Sequence, residues 1–186
     1  MATAAVGLLT AEEYFHLPDP GYPTELERGV VLMMSNPGAR HGQICAEIAF
    51  ALKLYLMQHN VGRVVTNDAG VITERAPDTV RGPDIAYYSY QRIPQEQSLP
   101  AGYPAVPPDL AFEVMSPSDR WKKVLAKVAE FLQAGVLAVC IVDPDERRVS
   151  VYSADAAPRI FAENDLFNLP PIFPDFAVPV KKLFAP

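Results

Sequence analysis

Residues 109–143 read DLAFEVMSPSDRWKKVLAKVAEFLQAGVLAVCIVD, and the change of hydrophobic period along them decides the fold. Asp109 to Met115 is a strongly apolar run of strand length. Pro117-Ser118-Asp119 then opens a helix through Ala134, whose apolar stripe of Val124, Leu125, Val128, Phe131 and Leu132 recurs at helical spacing. Gly135 fits the C-terminal cap of that helix, and Val136 to Val142 reads as a buried strand.

The pattern continues on both sides. Upstream, Thr10-Ala11-Glu12-Glu13 is a capping box that opens a short helix ending near Pro18. Glu25 to Glu27 and Val30 to Met34 form a hairpin about Arg28-Gly29. Arg40 to His59 is a long helix with Ile44, Cys45, Ile48, Leu52, Tyr55 and Leu56 on one face. Val61 to Thr66, Gly70 to Thr73 and Pro83 to Tyr88 read as strands. Ile93 to Pro108 carries five of the 19 prolines and is expected to be an irregular loop, either a lid or a dimer contact. Downstream, Asp143-Pro144-Asp145-Glu146 turns into a strand from Val149 to Tyr152, with short elements around Ile160-Phe161 and Phe176 to Val180. Strands alternating with two long helices predict an α/β fold, a central mixed sheet flanked by helices.

Composition sets the limits. A chain of 186 residues with 49% apolar content suits a single domain spanning residues 1–186. It holds no apolar run approaching the roughly 20 residues a membrane helix needs, and the opening MATAAVGLLTAEEYF lacks a basic region and turns acidic early. Both features predict a cytoplasmic protein without a membrane partner. Cys45 and Cys140 lie inside apolar runs and are expected to be buried free thiols. A net charge of −6 argues against coating nucleic acid through bulk charge. A local phosphate site stays open, because Arg120, Lys122, Lys123 and Lys127 fall close together.

The chemistry centres on two strand acids. Alternation along each strand sets Asp84 beside Ala86 and Glu113 beside Ala111, opposite the larger apolar side chains. Each acid either closes its strand against solvent or a loop amide, or holds a cation over the sheet. Two buried carboxylates on neighbouring strands repel, and a divalent metal is the simplest remedy. Hard oxygen donors suit Mg²⁺ or Mn²⁺. Lys127 sits at the border of its helix stripe, where a lysine either snorkels to solvent or reaches back toward Glu113. Lys122 has a similar angle and is the reserve candidate. His41 begins the apolar stripe of the first long helix and so is expected to face the sheet.

Several segments then align with a known pattern: Glu25-Leu26-Glu27-Arg28-Gly29, Pro83-Asp84, Phe112 to Ser118, Lys127, Gln133-Ala134-Gly135-Val136 and Ile141-Val142-Asp143-Pro144. The chain resembles the Uma-type "putative restriction endonuclease" family, a branch of the PD-(D/E)XK nuclease superfamily, from about Thr10 to Phe184. The resemblance implies a restriction-endonuclease-like core and a Mg²⁺ site formed by Asp84, Glu113 and the Val114 carbonyl. It implies an acidic position at Glu25 that binds metal or holds its water, and it matches His41 to a histidine after the Pro/Gly loop. One departure stands out: the superfamily motif sets lysine two residues after the acid, where this chain has Met115. The family pattern moves that lysine to the next helix, at Lys127.

Three functions follow as expectations. The first is a metal-dependent endonuclease acting on DNA, with Arg120 and Lys122 on flanking phosphates and a homodimer presenting two sites to a duplex. The second is a catalytically inactive nuclease-fold module that binds nucleic acid or protein. The third is metal-assisted hydrolysis of a non-nucleic substrate.

Overall fold

The computed structural model describes residues 7–185. The first six residues of the N-terminal stretch lie outside the described residues. Thr10 caps α1 (Ala11–Phe15) through the expected capping box with Glu13. The hairpin is formed by β1 (Thr24–Glu27) and β2 (Val30–Met33), in register Leu26↔Val31. Its two-residue turn works because Arg28 and Gly29 both take positive φ, at 48° and 79°. Then come α2 (Ala39–Gln58), β3 (Gly62–Thr66), β4 (Val71–Glu74), β5 (Thr79–Arg81), β6 (Ile85–Ser89), β7 (Leu110–Val114) and α3 (Trp121–Gln133). The chain closes with β8 (Ala138–Asp143), β9 (Arg148–Ser153), β10 (Ala156–Phe161), β11 (Leu166–Leu169), β12 (Phe173–Pro179) and α4 (Val180–Leu183).

Six strands form the central sheet in the order β10-β9-β8-β7-β6-β3. Only β7 and β8 run parallel, and α3 makes the crossover between them, so the sheet is mixed and flanked by helices as expected. A smaller sheet, β2-β1-β5-β4, stands beside it, and β11 pairs with β12. Side-chain alternation sorts the core. Leu110, Phe112, Val114, Cys140 and Val142 point to one face and pack under Ile44, Ile48 and Leu52 of α2. Ala111, Val139 and Ile141 point to the other face, under Val124, Val128 and Phe131 of α3.

The structure corrects several details. β5, only three residues long, and β11 are strands that hydrophobic periodicity does not reveal. β6 starts at Ile85, one residue after Asp84, and β8 starts at Ala138 rather than Val136. Leu125, expected in the α3 stripe, is 44% exposed, because the buried stripe runs through Val124, Val128 and Phe131. The 93–108 segment is irregular, as its prolines dictate, and it packs against its own chain. Tyr103 joins Leu26 and Val80, Ile93 joins Ala86 and Tyr88, and Arg63 binds the carbonyls of Pro94, Gln95 and Gln97. Tyr87 and Tyr88 are buried in core clusters. Both cysteines carry free thiols, Cys140 buried and Cys45 partly so. Among the described residues, no helix is long and apolar enough to cross a membrane.

Phe112 is wholly buried between sheet and α2, so Phe112→Ala is expected to cost about 3–5 kcal/mol of stability. Leu125→Ala should stay within about 0.5 kcal/mol. Urea denaturation of the two variants beside wild type checks the pair.

Candidate metal centre

The candidate site forms where the two sheets meet. The antiparallel register between β6 and β7 runs Ile85↔Phe112 and Ala86↔Ala111, so its continuation brings Asp84 opposite Glu113 just where strand pairing stops. Asp84 replaces the missing backbone partner: its Oδ2 accepts the Val114 amide at 2.6 Å. Because N–H and C=O of one strand residue point the same way, the Val114 carbonyl also faces the β6 side, beside Asp84. Met115 turns oppositely and donates to the Val142 carbonyl of β8.

Glu25 arrives from the smaller sheet. Pairing of Leu26 with Val80 sets Glu25 opposite Arg81. Arg81 is only 5% exposed in its side chain and binds Glu25 at 3.0 Å, Glu27 at 3.0 Å and Glu130 through two nitrogens at 2.6 and 2.9 Å. Glu130 lies on α3, so this guanidinium fastens the helix to the small sheet. One turn back, Lys127 Nζ sits 2.8 Å from Glu25 Oε1 and 3.9 Å from Glu113 Oε2. Of the two fates open to that border lysine, the structure shows the inward one. Burial disfavours its charge, but Glu113 and Glu25 outweigh that and hold the ammonium above its ordinary value.

Gly82 links the two sheets and donates to Glu25 Oε1 at 3.3 Å. A Cβ there would lie 2.8 Å from the Asp68 carbonyl oxygen, so only glycine lets the chain pass. Asn67 and Asp68 both take positive φ, 68° and 53°, which brings the Asp68 carboxylate to the cavity mouth. Partial burial, aided by the charge of Asp84, raises its pKa. From α2, His41 Nε2 meets Asp84 Oδ1 at 3.2 Å, and Cys45, one turn on, reaches His41 Nδ1 at 3.5 Å. The Asp84 bond, with the Cys45 contact second, raises the His41 pKa to about 10.

Glu25, His41, Asp68, Asp84, Glu113 and Lys127 line a cavity of about 120 Å³; Arg81 and Cys45 stand behind its wall. Glu25, Asp68, Asp84, Glu113 and Asp119 face it, against His41 and Lys127, an excess of three negative charges if all five acids were ionised. Glu113 Oε1 is enclosed and has no hydrogen-bond partner among the described residues. Burial, with Asp84, Glu25 and Asp68 adding to it and Lys127 opposing, raises the Glu113 pKa. An orphaned oxygen, excess negative charge and hard oxygen donors fit a divalent cation. A larger groove of about 330 Å³ lies elsewhere, between α2 and β12–α4, lined by side chains such as Phe50, Leu54 and Phe176.

Asp84, Glu113, Val114, Lys127, Glu25 and His41 thus surround one cavity. Arg120 and Lys122 are exposed at the start of α3 and do not line it. Sequence reading missed Arg81, Asp68, Gly82 and Glu130. Arg81 lies in a three-residue strand, and Asn67-Asp68 reads as turn chemistry; the only signal was the proximity of Arg81-Gly82 to Pro83-Asp84.

A mixed sheet between helices, with this cavity at the edge where the small sheet abuts it, defines a restriction-endonuclease-like α/β protein. The family model described as Uma2, putative restriction endonuclease, matches residues 11–181, and the chain belongs to that family. A structure from Anabaena variabilis, described as a putative nuclease belonging to DUF820, is similar in fold, with a TM-score of 0.81. The alignment covers 95% of this chain and 97% of that one, at 24% identity. No curated protein matches.

Two outcomes are expected from the site. Arg81→Met takes from buried Glu25 its guanidinium partner, leaving it Lys127 and the Gly82 amide, and should destabilise the fold by about 3 kcal/mol, read by urea denaturation. For Glu113, a raised carboxyl pKa means that stability falls as pH climbs above the ordinary value of 4.5, because the unfolded chain ionises first. With chelator present, Glu113→Gln should therefore raise the melting temperature, with a larger gain at pH 8 than at pH 5. Equal gains at both pH values would show that Glu113 is not held protonated by burial.

Proposed function

We propose that this chain is a divalent-metal-dependent endonuclease that hydrolyses DNA phosphodiester bonds. The observation that carries the reading is the enclosed Glu113 Oε1, without a partner among the described residues, on a side chain that lines an acid-rich cavity beside Asp84. Membership of the family described as "putative restriction endonuclease" supports it. Asp84 and Glu113, with the Val114 carbonyl, would hold Mg²⁺ or Mn²⁺. The chemistry such an ion supplies when bound is polarisation of a phosphoryl oxygen and acidification of water.

The protein's own groups do the rest. Lys127 donates to a phosphoryl oxygen or to the attacking water and offsets the negative charge that grows in the transition state. Glu25, itself oriented by Arg81 and Gly82, holds the ammonium charged and aimed into the cavity. His41 restrains Asp84 Oδ1 while the Val114 amide restrains Oδ2, so the carboxylate has a defined orientation. Arg120 and Lys122, exposed at the start of α3, would meet flanking phosphates, and a homodimer would present two cavities to a duplex.

One observation favours a second reading, a module that binds nucleic acid or protein without turnover. Lys127 pairs more closely with Glu25, at 2.8 Å, than with Glu113, at 3.9 Å. Such a module needs neither metal nor Asp84 to associate with DNA.

The test is cleavage of supercoiled, linear and single-stranded DNA with Mg²⁺ or Mn²⁺. Asp84→Ala should abolish cleavage, and Lys127→Ala should slow it by about 10²–10³-fold, the range for losing a transition-state donor. Undiminished cleavage by Asp84→Ala would overturn the nuclease reading. DNA binding without cleavage, equal in wild type and Asp84→Ala, would establish the second.

A further inference from the structure

Asp84 has neighbours of two chemical kinds. Glu113 and the Val114 carbonyl offer hard oxygens, whereas α2 brings a nitrogen and a sulfur to the far side of Asp84. His41 and Cys45 stand at i and i+4 and so share a helix face. One imidazole nitrogen, the Cys45 thiol and an Asp84 oxygen all lie within 4.8 Å of one another. The Cys45 Sγ to His41 Nδ1 separation of 3.5 Å is already close to the roughly 3.6 Å that separates sulfur and nitrogen ligands on a tetrahedral zinc. Asp84 Oδ1 stands at the other ring nitrogen, 3.2 Å from Nε2, so it must turn from Nε2 toward Nδ1 to complete three protein ligands, with the fourth position left to water.

From this geometry we infer that His41, Cys45 and Asp84 form a Zn²⁺ site that shares Asp84 with the hard-metal site. Thiolate and imidazole select a borderline-soft ion and reject Mg²⁺, which demands oxygen ligands in octahedral array. Binding replaces a proton on the Cys45 sulfur and a proton on the His41 imidazole, and both leave to solvent. Asp84 cannot retain its hard-site geometry while turned toward His41 and Cys45, so Zn²⁺ antagonises the activity proposed above. That consequence rests on the nuclease reading; the site itself does not.

The experiment therefore reads metal binding and not cleavage. Co²⁺ added to the full chain should give a thiolate-to-metal charge-transfer band that is absent in Cys45→Ser. Zn²⁺ affinity, measured by competition with a chromophoric chelator, should fall by at least about 100-fold in Cys45→Ser, the upper end of what losing an outer-shell partner already costs. Wild-type protein supplies a control independent of any variant. Cys140 is fully buried, so alkylation by iodoacetamide reports Cys45, and Zn²⁺ should protect that thiol where Mg²⁺ does not. A cobalt complex lacking the thiolate band, or equal alkylation with and without saturating Zn²⁺, would overturn the site. Either result leaves the Asp84–Glu113 reading standing, just as inactivity on DNA leaves the zinc site standing.

Discussion

Arg81 is the interaction on which the rest depends. A guanidinium removed from water must be matched by carboxylates with good geometry, or its burial costs several kcal/mol. Here Glu25, Glu27 and Glu130 supply that match. Two of them belong to β1 and the third to α3, so one side chain joins the small sheet to the helix that carries Lys127. The planar fork fits this task as lysine would not, because it bonds in several fixed directions at once. Glu25 then transmits the constraint, with one oxygen on Arg81 and the other on Lys127.

The junction of the sheets is set by backbone space. Only Gly82-Pro83-Asp84 separates β5 from β6. Gly82 lets the Asp68 loop approach closer than any side chain would allow, and Asp84 follows at the point where β6 and β7 cease to pair. An acid at the end of a ladder is useful because the neighbouring amide still needs an acceptor. Asp84 satisfies the Val114 amide with one oxygen and presents the other to His41. Crowding of acids thereby becomes a concave site and not a source of unfolding.

Donor softness divides that site. Toward β7 the atoms around Asp84 are oxygens; toward α2 they are the His41 imidazole nitrogen and, in contact with that ring, the Cys45 thiol. Asp84 lies between the two sets and is common to both. The partition follows from the alternation of the strands and the helical repeat of α2, which deliver different residue types to one place.

The sequence alone determined the elements that rest on local regularity. The α2 stripe, the 109–115 and 136–142 apolar runs, the capping box and the Arg28-Gly29 turn depend on near neighbours, and they announce a mixed α/β fold. The family match also resides in local motifs, and through it Asp84, Glu113, Lys127, Glu25 and His41 were legible as candidates. Tertiary structure decided what local pattern cannot encode. Whether Lys127 snorkels or turns inward depends on Glu25, which is 102 residues away in the chain. Arg81 was invisible because a three-residue strand shows no usable period, and Asp68 because its turn makes sense without the cavity. Cys45 read as core because its stripe position is apolar, and only the approach of Asp84 gives its sulfur a second partner set. Periodicity records which face of an element is buried, whereas the meeting of charges depends on strand register and on long-range packing.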